Sequence, residues 1–164
     1  MTAQSFGLDK SGLTQEHEEE EGRFLVAVGA MIEHAETGRI LLLKRSEDRA
    51  FLPGVWEDIG GRIKQFEEPE HALRREVQEE SGLDIQIVKP VNVFHLFHGE
   101  RSAGNEMIII TYWCRSHSDR VVLSHEHSEY RWLLPTEALR LVEHEGVRSD
   151  IEAWMMERSR DKAQ

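Results

Sequence analysis

Three glutamates at helical spacing constrain this chain more than any other feature of its sequence. Glu76, Glu79 and Glu80 occupy positions i, i+3 and i+4 of a segment that predicts a helix over about residues 69–81. At about 100° per residue these positions share one face of a helix. Like charges at this spacing destabilise a helix, and no lysine lies among them to compensate. The arrangement therefore predicts a site for a hard divalent cation such as Mg²⁺, which prefers oxygen ligands.

The residues around the helix favour such a site over a merely solvated acidic face. Gly60 and Gly61 precede the helix, and a glycine pair permits a tight loop that brings a backbone carbonyl close to the same ions. Arg75 adjoins the glutamates but is expected to point to another side of the helix. From there it can orient Glu67 or support the loop, but it cannot replace a metal ion.

The remaining hydrophobic pattern predicts a mixed β-sheet with few helices. Strands are predicted at about residues 24–32, 40–43, 56–59, 84–97, 106–115, 121–123 and 130–133. Two further helices are predicted at about residues 135–143 and 147–158. Gly82 is well placed to end the first helix in a left-handed conformation. Because the helices are few and unevenly spread, the pattern indicates an α+β fold and not a doubly wound parallel sheet.

Length and charge narrow the class of protein further. The chain has 164 residues and a net charge of −11, which suits one domain and argues against general nucleic-acid binding. Its single cysteine, Cys114, excludes an internal disulfide framework. No apolar run approaches the ~18 residues that cross a bilayer, and the start of the chain lacks the pattern of a signal peptide. We therefore expect a cytoplasmic protein that does not bind membranes. The sequence leaves the oligomeric state open, and a homodimer is one of the states that it allows.

The domain organisation follows from the composition along the chain. Residues 1–22 are polar and end in an acidic run, which predicts a flexible N-terminal tail. Residues 23–160 carry the periodic segments and predict a single domain.

The segment from Gly61 to Leu83 resembles the Nudix box. That pattern is Gly, five residues, Glu, seven residues, Arg-Glu, an aliphatic residue, any residue, Glu-Glu, any residue, Gly and an aliphatic residue. Every defined position is filled here: Gly61, Glu67, Arg75, Glu76, Val77, Glu79, Glu80, Gly82 and Leu83. Family members often have Pro before the glycine pair and Gly before the first glutamate, where this chain has Ile59 and Phe66.

The resemblance implies a Nudix fold, a mixed sheet packed between helices as an α/β/α sandwich. It also implies a hydrolase that uses Mg²⁺ or Mn²⁺ and directs water onto a diphosphate. The expected substrate is a small nucleotide: a nucleoside triphosphate or a related nucleoside diphosphate derivative, cleaved to release a monophosphate. The alternative is a non-catalytic nucleotide-binding or regulatory module on the same fold.

The resemblance also assigns roles within the box. Glu79 and Glu80 are expected to be the main metal ligands, and Glu76 a further ligand or the general base. Glu67 assists with Arg75. The carbonyl group of Gly60 is expected to complete the metal shell.

A second segment resembles the downstream loop of several Nudix enzymes, in which an acidic residue precedes a Tyr-Arg-Trp strand. Glu126 is the candidate here for an extra metal ligand or general base. Arg45 and Arg49 stand before the box and could bind phosphate through their planar guanidinium groups. Trp56 could stack on a base or belong to the core. We interpret the histidines at 125 and 127 as loop residues and not as a zinc pair, because no cysteine lies nearby.

Overall fold

Seven strands form one mixed β-sheet in the computed structural model, which describes residues 22–163. The strands are β1 (Leu25–His34), β2 (Ile40–Arg45), β3 (Trp56–Glu57), β4 (Ile59–Arg62), β5 (Gln86–Phe97), β6 (Glu106–Ser116) and β7 (His127–Leu133). β1 pairs with β6 in parallel and with β2 and β4 antiparallel, so the predicted mixed sheet is confirmed. The predicted acidic tail, residues 1–22, lies outside the described residues apart from Gly22.

Three helices accompany the sheet: α1 (Pro69–Ser81), α2 (Pro135–Leu141) and α3 (Glu145–Asp161). α1 begins and ends where the sequence predicts. Proline suits its first position, where the missing N–H costs nothing, and Gly82 ends it with a left-handed φ of 66°. None of the helices within residues 22–163 is long and apolar enough to cross a membrane.

The sheet is covered on both faces, as the predicted α/β/α arrangement requires. Alternate residues of β2 show this: Leu41 and Leu43 join the core under α1, whereas Ile40 and Leu42 join the core under α2 and α3. This alternation follows from the two-residue period of a strand. The two cores hold α1 on one side of the sheet and the C-terminal helices on the other.

One predicted strand does not form. Residues 121–123 are irregular, because their backbone bonds to the end of α1 and not to a neighbouring strand. The Val122 N–H donates to the Ser81 carbonyl over 2.8 Å. β7 also begins at His127, earlier than predicted, and pairs with β2. The segment before β7 therefore lies against the carboxyl end of the helix that carries the glutamates.

Candidate active site

The three glutamates of α1 lie in different environments. Glu79 is open to solvent, with its side chain 55% exposed, whereas Glu80 is buried at 8% exposure. The difference arises because Ala72, Leu73 and Val77 turn the apolar side of α1 onto the sheet. That orientation turns Glu80 inwards with them.

Burial raises the pKa of Glu80 to about 9, and three neighbouring carboxylates add to the shift. These are Glu57, Glu76 and Glu126. Four acidic groups from α1, β3 and the loop before β7 thus converge on one region. Their mutual repulsion is what a bound cation would relieve.

Arg75 ties the box loop to the helix. It donates to both carboxylate oxygens of Glu67, over 2.7 Å and 2.8 Å, and the Lys64 N–H donates to the same carboxylate over 2.9 Å. The expected support of the loop by Arg75 is therefore seen. The expectation that Arg75 points away from the other glutamates is wrong, because its Nη1 contacts Glu76 and lies 3.5 Å from Glu79. Its flexible side chain reaches over the helix surface.

The Glu67–Arg75 pair is expected to make stability acid-sensitive. Hydrogen bonding from Arg75 lowers the pKa of Glu67 from 4.5 to about 2. A lowered pKa means that the stabilisation is present above pH 4.5 and is lost as the pH falls towards 2. Melting temperatures of wild type and Glu67→Gln should therefore differ most above pH 4.5 and converge near pH 2. A difference that stays constant with pH would contradict the ion pair.

The glycine pair is in close contact with two different structures. A Cβ atom at Gly60 would lie 2.6 Å from the carbonyl oxygen of Val28, which is backbone of the paired strand β1. A Cβ atom at Gly61 would instead overlap the carboxylate of Glu76. Gly60 thus lets β4 pair closely, and Gly61 makes room for a glutamate of α1.

Phe66 occupies the loop position where the Nudix box, which this segment resembles, often has a glycine. Its φ is 66°, and its side chain is 97% exposed. Left-handed backbone costs about 1–2 kcal/mol for a residue with a Cβ atom. We expect Phe66→Gly to stabilise the protein by about 1 kcal/mol in thermal unfolding. Phe66→Ala removes the ring but keeps the Cβ atom, so it should leave stability nearly unchanged, and an equal gain in both variants would contradict backbone strain.

Glu57 is a site residue that the sequence reasoning missed. Its carboxylate accepts from Arg45 Nη1 over 2.8 Å and lies 3.1 Å from the Nε2 atom of the buried His127. Arg45 also donates to the Phe51 carbonyl over 2.9 Å. Glu57 follows directly after Trp56 in a strand of two residues, and its only sequence signal is its place three residues before Gly60.

Arg49 and Glu126 form an ion pair of 2.7 Å between the loop after β2 and the loop before β7. The backbone supports this contact, because the Ser46 N–H donates to the Glu126 carbonyl over 2.9 Å. Both charged side chains remain about one-third exposed, at 30% and 34%. The structure therefore brings Glu126 towards the helix glutamates and holds Arg49 beside it.

A cavity of about 190 Å³ adjoins the carboxylates through Gly60 and Gly61. Arg45 and Glu57 also line it, together with apolar side chains of β5, β6 and α3. Trp56 does not line this cavity. It packs against the core under α2 and α3, and the guanidinium group of Arg131 lies 4.8 Å from its ring centroid. Its position thus supports the core interpretation more than base stacking.

The donor set suits a hard divalent cation. Within residues 22–163 no three acidic, histidine or cysteine side chains converge tightly enough to form a complete metal site. Glu76 is nevertheless close enough to Glu80 to raise its pKa, and both side chains offer the oxygen ligands that Mg²⁺ prefers.

A comparison with protein families decides the assignment. A family profile described as the NUDIX domain matches residues 23–155. The chain belongs to the Nudix family. A nucleoside triphosphatase, NudI, from Escherichia coli is 31% identical over 105 residues, which cover 60% of this chain and 74% of that protein. The predicted hydrolase class, Nudix pyrophosphohydrolase, is confirmed.

Solved Nudix structures share the fold. The MutT protein from Methanosarcina mazei Go1 has a TM-score of 0.71 and 27% identity, over 84% of this chain and 97% of that one. The Escherichia coli dihydroneopterin triphosphate pyrophosphohydrolase has a TM-score of 0.63 and 23% identity, over 80% and 95% of the two chains. The predicted Nudix fold is therefore confirmed.

Proposed function

We propose that this Nudix protein is a Mg²⁺-dependent hydrolase of nucleoside triphosphates or related nucleoside diphosphate derivatives, and that it releases a monophosphate. The observation that carries the proposal is the place where the cavity meets the carboxylates. Glu57 and Gly61 line the cavity, Gly61 lies against Glu76, and both glutamates are among the groups that raise the pKa of Glu80. Such a junction can hold a diphosphate at the carboxylates and the rest of a nucleotide in the cavity. The related nucleoside triphosphatase supports the choice of substrate class.

We propose that Glu79 and Glu80 hold Mg²⁺, with Mn²⁺ as a substitute, and that Glu76, Glu126 and the Gly60 carbonyl complete the shell. The ion supplies charge neutralisation at the phosphate oxygens and lowers the pKa of bound water. Glu76 and Glu126 remain the two candidates for general base. Both are held by an arginine, which fixes the direction of the carboxylate.

The arginines have positioning roles in this proposal. Arg75 orients Glu67 and Glu76 from the helix. Arg45 holds Glu57 at the cavity wall, and Arg49 lies beside Glu126, where its exposed face can also meet a substrate phosphate. A small substrate agrees with the net charge of −11, which disfavours binding to nucleic acids.

The test is product analysis with a panel of nucleoside triphosphates and Mg²⁺. We expect monophosphate and pyrophosphate, and reaction in ¹⁸O-labelled water shows which phosphorus is attacked. Glu79→Gln should abolish turnover, whereas Glu70→Gln, an exposed glutamate in the first turn of α1, should not. Tight nucleotide binding without turnover by wild type would replace the hydrolase with the alternative, a binding module.

A further inference from the structure

Glu57 lies on the face of the sheet that α1 covers. Its direct partner in β2 is Leu43, whose side chain belongs to the core under α1. Residues that pair directly across antiparallel strands share a face, whereas neighbours along one strand point to opposite faces. Trp56, the neighbour of Glu57 in β3, packs accordingly against the core under α2 and α3. The Glu57 side chain is thus directed towards the helix that carries the three glutamates.

One oxygen of the Glu57 carboxylate is held from two sides. Arg45 Nη1 donates to Oε1 over 2.8 Å, and His127 Nε2 lies 3.1 Å from the same oxygen. Because an ionised carboxylate only accepts hydrogen bonds, His127 carries a hydrogen at Nε2. The His127 side chain is 1% exposed, so packing holds this donor in place. The two bonds together fix the direction of the carboxylate.

The other oxygen of Glu57, Oε2, has no such partner. Within residues 22–163 no group donates a hydrogen bond to Oε2, and Oε2 is not among the fully buried atoms that lack a partner. It is therefore within reach of solvent, in agreement with the 20% exposure of the side chain and its place in the cavity wall. A carboxylate fixed through one oxygen can offer the other to Mg²⁺ or to one of the waters that Mg²⁺ retains.

Glu57 also lies close to the carboxylates of α1. Of the three neighbouring carboxylates that raise the pKa of Glu80, Glu57 has the largest effect. Gly61 lines the same cavity as Glu57 and lies against the carboxylate of Glu76. A carboxylate from the sheet thus faces carboxylates from the helix, and a cation between them would turn their repulsion into attraction.

We propose that Glu57 is a further ligand of the divalent cation at the glutamates of α1, bound through Oε2 either directly or through one water. Arg45 and His127 are positioning residues in this proposal, because they hold only the oxygen that does not face the ion. The inference rests on the proposed function, which supplies the cation.

Calorimetric titrations with Mg²⁺ and with Mn²⁺, without nucleotide, test the proposal. The absence of nucleotide excludes any effect that acts through the substrate. Glu57→Gln keeps one oxygen for Arg45 and His127 but replaces Oε2 by an amide nitrogen, which is no ligand for these ions. We expect this variant to bind both ions at least about tenfold more weakly than wild type. Wild-type affinity in folded Glu57→Gln would overturn the proposal and leave Glu57 as a structural ion pair.

Glu129→Gln is the matched control. Glu129 pairs with Lys44 of β2, next to Leu43, so it lies on the opposite face of the sheet from Glu57. It also forms an ion pair with an arginine, Arg131, over 2.7 Å. The variant loses the same charge and should keep the wild-type affinity for both ions. An equal loss in Glu129→Gln would show that net charge controls uptake, and would overturn the assignment to Glu57.

A second variant covers the case in which Glu57→Gln does not fold. Glu57→Asp keeps the negative charge but withdraws the carboxylate by one methylene group, so it must also weaken the binding of both ions. Unchanged affinity in folded Glu57→Asp would overturn the proposal as well.

The positioning role of His127 has a test of its own. His127→Leu removes the donor to Glu57 and should weaken Mn²⁺ binding by about tenfold. His127→Gln supplies an amide N–H instead and should restore the affinity to within about threefold of wild type. A role in packing alone would not favour glutamine over leucine at this buried position. Equal affinities of the two variants would therefore overturn the positioning role.

The two proposals can be told apart when they fail. The absence of turnover for every triphosphate would overturn the hydrolase but would not change the cation affinities, which are measured without substrate. Wild-type uptake with a loss in Glu79→Gln and none in Glu57→Gln would keep the cation site and overturn the role of Glu57 alone. No uptake by wild type would overturn both.

Discussion

Glu80→Gln is expected to lose nucleotide hydrolysis by about a thousandfold or more while its metal-free form becomes more stable than wild type. The loss corresponds to about 4 kcal/mol of transition-state stabilisation, as expected when a ligand of the essential ion is removed. The gain in stability has a separate cause. Glu80 is buried with a pKa of about 9, so folding at pH 7 imposes a cost that a neutral glutamine avoids.

The pH dependence of this gain has a definite sign. Below pH 4.5 the Glu80 carboxyl is protonated in both the folded and the unfolded protein, so its raised pKa costs no stability there. As the pH rises from 4.5 towards 9, the unfolded protein loses this proton first, and the free energy of unfolding falls. Glu80→Gln should therefore exceed wild type by ~1–3 kcal/mol at pH 7 and by little near pH 4.5. Thermal unfolding in a chelator measures the gain, and Glu70→Gln is the control. If Glu80→Gln is less stable than wild type at pH 7, the claim that burial and neighbouring carboxylates destabilise the charged form of Glu80 is contradicted.

Gly61→Ala is expected to reduce hydrolysis by about a hundredfold with little change in stability. The added methyl group must push the Glu76 carboxylate out of its place, and displacement of a catalytic group by about 1 Å costs on the order of a hundredfold. Glu76 is a flexible side chain, so the fold can absorb the change. Turnover and thermal unfolding of the same preparation measure the two effects.

Gly60→Ala is the matched comparison. Its methyl group would meet the backbone carbonyl of Val28, which cannot rotate away, so we expect a loss of stability of about 2 kcal/mol or more. Loss of stability in Gly61→Ala and not in Gly60→Ala would show that the two glycines have been assigned to the wrong neighbours.

Local sequence signals predicted the part of the site that lies on α1. Pro69 and Gly82 set the helix ends through backbone chemistry, and the positions of the glutamates on its face follow from the helical period alone. The strands β1, β2, β5 and β6 also have clear apolar patterns. Both kinds of signal act over a few residues, which is why the sequence displays them.

The remainder of the site depends on contacts between distant segments. Glu57 meets His127 across the sheet, and Arg49 meets Glu126 although the two residues are far apart in the sequence. No short-range pattern records these meetings. The predicted strand at residues 121–123 failed for the same reason, because the end of α1 competes for its backbone hydrogen bonds.

The central claim is that the glutamates of α1 gather to hold a divalent cation. Calorimetric titration with Mg²⁺, in the presence of a non-hydrolysable nucleotide, tests it most directly. We predict uptake by wild type and by Glu70→Gln, and weakening by at least about tenfold in Glu79→Gln and in Glu80→Gln. Equal uptake by all four proteins, or none by wild type, would contradict the claim.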